Sequence, residues 1–144
     1  MKYIKSFNKI IIEQEQYNDT YVKTINNHIR HNNIEFFKNN DILPYKNEYI
    51  IIATMYGYTE IVKYLVEIFD VNQTNNINRT AAYYTRKKPE ILKILLENGL
   101  DIEHEDDYDE IFFKYIDIET LEKIKNIEII TKYLKSQKQK KFNL

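Results

Sequence analysis

Apolar side chains along this chain recur at helical spacings and in blocks. Ile61, Val62, Leu65, Val66 and Ile68 fall on one face, with Lys63 and Glu67 on the other, which predicts an amphipathic helix. Just upstream, Glu48 to Tyr56 is nearly all apolar, the pattern of a helix packed between neighbours on more than one side. Gly57 is placed to end that helix, because glycine takes the left-handed conformation without a Cβ clash, and Thr59 is placed to cap the next one. The expected unit is two antiparallel helices joined by a tight turn.

The unit repeats. Glu60-Ile61-Val62-Lys63-Tyr64-Leu65-Val66-Glu67 returns as Glu90-Ile91-Leu92-Lys93-Ile94-Leu95-Leu96-Glu97 and, more loosely, as Glu128-Ile129-Ile130-Thr131-Lys132-Tyr133-Leu134-Lys135. A spacing of about 30 residues predicts stacked helical hairpins, since one hairpin alone cannot bury its apolar stripe. In the second unit Lys88-Pro89-Glu90 replaces the glycine turn, because proline pushes Lys88 out of the α region and suits the first helical turn. This gives a short inner helix over Thr80 to Lys87 and an outer one over Glu90 to Asn98, ended by Gly99.

Asp70-Val71-Asn72 and Asp101-Ile102-Glu103 each precede a polar run that reads as an extended finger loop. Asp41-Ile42, ahead of Leu43-Pro44, marks an eroded unit from about Thr20 to Asp41 with Phe36 and Phe37 in its core. Glu110 to Ile116 is expected as the third inner helix, Asp117 to Asn126 as an insertion or an extra turn of helix and Gln137 to Leu144 as a frayed basic tail. The organisation is then an N-terminal helical cap with a degenerate repeat over 1–47, repeats over 48–72 and 73–103, a degenerate repeat and cap over 104–135, and the tail over 136–144.

Composition narrows the function classes. With 43% hydrophobic and 30% charged residues the 144-residue chain is an ordinary globular domain, and a net charge of -1 gives no whole-chain attraction for nucleic acid or anionic membranes. Absence of cysteine excludes disulfides and thiolate metal sites. Ile10-Ile11-Ile12 is too short for a signal-peptide core, and Tyr49 to Tyr58 falls below the ~18 apolar residues that span a bilayer. The expectation is a soluble intracellular protein, with the cytoplasm as its compartment.

Ala53-Thr54-Met55-Tyr56-Gly57-Tyr58-Thr59-Glu60-Ile61-Val62-Lys63-Tyr64-Leu65-Val66, continuing to Asp70-Val71-Asn72, resembles an ankyrin repeat. The next unit keeps Arg79-Thr80, Ile91-Leu92, Leu95-Leu96 and Asn98-Gly99-Leu100-Asp101-Ile102. The resemblance implies an all-α, ankyrin-like helical-hairpin repeat solenoid of about four units, two clear and two degenerate. It also implies a concave face of inner helices and fingers that binds a protein partner. Thr80-Ala81-Ala82-Tyr83 stands where the family has Thr-Pro-Leu-His, so the hydrogen bonds of that Thr and His are expected to be lost. The Ile-, Tyr- and Asn-rich style is similar to that of ankyrin-repeat proteins of giant DNA viruses of amoebae, for which the compartment would be the host cytoplasm.

Catalytic and metal chemistry find little support. His28 and His31 share a helix face without a completing ligand set, and a calcium loop begun at Asp101 would put Asp106 and Phe112 where glycine and a bidentate glutamate are needed. Gly57 and Gly99 stand alone, so no phosphate-cradling loop exists, and neither Ser6 nor Ser136 sits in a nucleophile turn. No enzyme, cofactor, metal or small-molecule substrate is expected. The 13 tyrosines are large rings with a polar tip, suited to interfaces and half-wet core edges. The expected partner-binding residues are Met55 and Tyr56 on one inner helix, Gln73, Thr74, Asn75 and Asn76 on a finger, Lys87 and Lys88 in the next turn, and Asp106 and Asp107 in an acidic finger that would steer a basic partner. The alternative is association with nucleic acid through Lys132, Lys135, Lys138, Lys140 and Lys141.

Overall fold

A computed structural model describes residues 19–40 and 48–142. The Asp41 turn, the chain before Asp19 and the last two residues lie outside the described residues. The described residues form seven α-helices: α1 (Asp19–Arg30), α2 (Ile34–Asn39), α3 (Tyr49–Tyr56), α4 (Thr59–Val66), α5 (Pro89–Glu97), α6 (Ile118–Lys123) and α7 (Glu128–Phe142). Two single-turn 3-10 helices, Ala81–Tyr84 and Phe112–Tyr115, complete the set. Beyond one isolated antiparallel bridge, Glu105 to Ile111, no β-structure occurs among the described residues.

Two parallel rows result. The inner row runs α1, α3, Ala81–Tyr84, Phe112–Tyr115, each packed on the next, and the outer row runs α2, α4, α5, α6. The row order follows from register. Ile61-Val62 with Leu65, Ile91-Leu92 with Leu95, and Thr120-Leu121 with Ile124 hold the same places on successive outer helices, and all nine side chains are buried. Val62 and Leu92 are fully enclosed in one continuous cluster that also takes in Phe37 of α2 and Leu121 of α6.

The hairpin turn after α3 uses Gly57 at φ +78, with the Gly57 N–H bonded to Thr54 O and the Tyr58 N–H to Ala53 O. This is a Schellman closure, and it uses up Gly57 and Tyr58. Thr59 is therefore already the first helical residue of α4 rather than its cap, and Tyr58 flanks that helix without a side-chain cap bond. Pro89 opens α5 at its first position, and Gly99, at φ +87, follows its end.

Two expectations about helix extent are corrected. Of Thr80 to Lys87 and Glu110 to Ile116, only four central residues each are helical, and as 3-10 turns. The non-helical geometry that Pro89 imposes on Lys88, at φ -125 and ψ 70, with Lys88 N–H bonded to Thr85 O, converts the end of the first into a turn. Likewise, Glu128 to Lys135 is not the third outer helix, and of the two readings of Asp117 to Asn126 the helical one holds. Ile118–Lys123 fills that outer position, starting 29 residues after Pro89, which itself starts 30 after Thr59. α7 instead closes the end of the stack through buried Ile130 and Leu134 and the Tyr133 ring, which stacks on Phe113 at 4.1 Å. The basic stretch 137–142 continues this helix and is not frayed.

Candidate binding surface

α3 is buried through Tyr49, Ile50, Ile51, Ala53 and Thr54, yet its last two residues face solvent, Met55 at 57% and Tyr56 at 48% of full exposure. Together with Ile52, and with Asn26 and Arg30 of α1, they line a groove of about 320 Å³ between two neighbouring inner helices. Tyr56 stacks on Tyr58 with ring centroids 5.6 Å apart and planes 5° off parallel, and the Tyr58 hydroxyl donates to the Arg30 carbonyl at 3.0 Å. Tyr56 is thus held by its neighbour, which leaves its ring little rotamer freedom to lose in a contact.

The two fingers copy each other at a spacing of 31 residues. Asn75 Oδ1 accepts from the N–H groups of Ile77 and Arg79; Asp106 Oδ1 accepts from those of Tyr108 and Glu110. Asn78 and Asp109 both adopt left-handed φ, +59 and +56, at the same point of each loop. Asn75 also donates to the Tyr84 hydroxyl at 2.6 Å, so its amide builds the finger rather than facing a partner.

Asp106 needs the larger correction. Its side chain is completely buried, with Oδ2 2.7 Å from Arg79 Nε. Burial alone would raise this carboxyl, but the Arg79 guanidinium and the two backbone N–H groups outweigh it and hold Asp106 below the usual carboxylate range. Arg79 in turn lies over the Tyr115 ring at 4.4 Å and bonds its hydroxyl at 2.8 Å. Tyr83 caps the same cluster, its hydroxyl within 2.8 Å of His104 O and 2.6 Å of Glu110 O. Sequence reasoning missed this inter-finger lock. The signal was the match of Asn75 to Asp106 at the repeat spacing, which assigns Asp106 a loop-building role instead of a surface one.

Of the expected contact residues, Met55, Tyr56, Thr74, Asn76, Lys87 and Asp107 are exposed. Gln73 is half-buried with an enclosed, unbonded Oε1. Lys88 is half-buried too: its Nζ donates to Tyr84 O at 2.9 Å, its stem passes over Gly57, and burial lowers its ammonium pKa. The structure brings Met55 and Tyr56 together in one groove and leaves Asp107 on a different finger.

The histidines are engaged separately. His28 stacks on Phe36 at 3.6 Å, His31 Nδ1 lies 2.7 Å from Asn27 O, and His104 Nε2 lies 2.8 Å from Asn78 O. A carbonyl oxygen only accepts, so His31 Nδ1 and His104 Nε2 carry the protons. Among the described residues no three His, Asp or Glu side chains gather at metal-ligand spacing, and no helix is long and apolar enough to cross a membrane.

Two rows of stacked α-hairpins, linked by fingers and with side chains left open on the inner row, define a helical-repeat binding scaffold. The family described as ankyrin repeats, in three copies, matches residues 14–106, well over half of the chain. The chain belongs to the ankyrin-repeat family, whose repeats generally serve as protein–protein interaction modules and are typically not enzymes. No curated protein matches the chain.

Proposed function

We propose that this chain is a non-catalytic scaffold that holds a protein partner against its inner-helix face, with Met55 and Tyr56 as the anchors and Thr74, Asn76 and Lys87 as accessory contacts. The observation that carries the reading is the pair of exposed large apolar side chains at the end of an otherwise buried inner helix, beside a groove. A solvated helix end has no use for Met and Tyr together, whereas binding energy concentrates on such clustered anchors.

The test is site-specific photo-crosslinking in a lysate of the native host cell, with the crosslinker at Met55 and, as control, at Lys93 on the outer row. Adducts at position 55 that are absent at position 93, and absent from a folded Tyr56→Ala variant carrying the same crosslinker at position 55, are the expected result. The same adducts at both positions, or adducts unchanged in the variant, would place the binding surface elsewhere.

A further inference from the structure

The charges around the groove say what kind of segment fits it. Arg30 lines one wall, its side chain exposed and without a carboxylate partner among the described residues. Gly57, the residue after Tyr56, lies against the Lys88 stem, and the exposed Lys87 precedes Lys88 in the chain. Among the described residues no Asp or Glu lines the groove. The acidic residues that follow these turns are paired, Glu60 and Glu90 with Lys63 at 2.8 and 3.8 Å and Asp117 with Arg86 at 2.9 Å. Among the described residues a pre-stacked aromatic ring and a methionine thus share a groove wall with the Arg30 cation, with Lys87 further along the same row of turns.

Resting on the reading of Met55 and Tyr56 as anchors, we infer that the partner presents an acidic segment carrying one apolar side chain, which enters between α1 and α3 while its carboxylates face Arg30 and Lys87. An apolar side chain is accepted by Ile52, Met55 and the Tyr56 ring. Arginine is the side chain best suited to a planar carboxylate. The opposite polarity, a basic partner drawn by the acidic finger, loses Asp106, which is buried and already paired, and Asp107 is not among the residues that line the groove. The groove is also apolar in character through Ile52 and Met55, which favours a peptide over a nucleic acid backbone.

The probe is a phage-displayed library of random dodecapeptides panned on the immobilised full chain, followed by affinity measurement on the recovered peptides. The expected outcome is recovery of sequences rich in Asp and Glu around a Leu, Ile, Met or Phe. Their binding should fall roughly 30-fold or more with Tyr56→Ala, as for an interface anchor. Arg30→Gln or Lys87→Gln should weaken them about threefold to fivefold, the range of exposed ion pairs, with the effect shrinking at high salt. Circular dichroism checks that each variant is folded. Neutral or basic peptides that still depend on Tyr56 would overturn the charge inference and leave the scaffold reading standing. Peptides indifferent to Tyr56, or an empty selection, would count against both. Displacement of the peptides by an unstructured oligonucleotide at equal concentration would assign the cations to nucleic acid and sink the inference.

Discussion

At the scale of single residues, two buried hydroxyls set the sign of the same substitution. Thr80 Oγ1 is buried and has no hydrogen-bond partner, because Tyr83, where the family has histidine, sends its hydroxyl on to the next finger. An unsatisfied buried hydroxyl costs free energy, so Thr80→Val is expected to stabilise the fold by about 1 kcal/mol, read as a shift in the urea midpoint. A loss of stability would mean that Thr80 has a partner after all. Asp106 gives the pH dependence. Its folded carboxyl lies below its ordinary value of 3.8, so its stabilising contribution is complete above that value and is lost as pH falls below it. Asp106→Asn should therefore be less stable than the parent at pH 7, with the gap narrowing as pH falls below about 3.8. A gap that stays constant down to pH 2 would show that the carboxylate charge is not what matters. Tyr83 acts at the other extreme: burial, and then the nearby Asp106 charge, raise its phenol to about 12, so its contribution persists until pH rises past the ordinary 10.0.

At the scale of elements, the hairpins around Gly57 and Pro89 were legible because their signals are local: a lone glycine or proline, and apolar residues at helical spacing. α6 was not, because its apolar signature is diluted. Thr120 stands where Ile61 and Ile91 stand in the preceding outer helices, so Glu128 to Lys135, with Ile129, Ile130 and Leu134, gave a stronger echo out of register. Only packing distinguishes the true outer helix from the cap. The exposure of Met55 and Tyr56 was legible from the repeat position alone, whereas the burial of Asp106 was hidden by an acidic run whose other members are mostly exposed. Thr120 has its own function in the element. Its hydroxyl donates at 2.8 Å to the Arg86 carbonyl, fastening the third hairpin turn to the start of α6. Thr120→Val, which makes the site more like its two predecessors, is expected to lose about 1 kcal/mol, because one well-placed hydrogen bond between repeats disappears. If that variant matches or exceeds the parent in urea denaturation, the bond to Arg86 contributes nothing and α6 is held by Leu121 and Ile124 alone.

At the scale of the whole molecule, each layer touches only its neighbours, so a defect should spread according to where it lies in the stack. Leu92 is fully buried in α5, with α4 on one side and α6 on the other. Leu92→Ala removes packing from both interfaces at once, and a truncation of this kind in a core costs about 2–5 kcal/mol. Ile130 is as deeply buried, but it belongs to the closing helix, with nothing described beyond it. Its truncation can loosen only the α7 end. Native-state hydrogen exchange separates the two cases. Leu92→Ala should lower protection in α4, α5 and α6 together, whereas Ile130→Ala should lower it in α7 and the neighbouring Phe112–Tyr115 turn and leave α3 and α4 unchanged. The ion pair of Arg79 with Asp106 and the Tyr83 contacts tie successive fingers, which should carry the Ile130 effect as far as residues 104–110 and no further. Equal loss of protection along the chain in both variants would mean that the stack opens only as a single cooperative unit. The groove between α1 and α3 could then no longer be treated as insulated from the closing end.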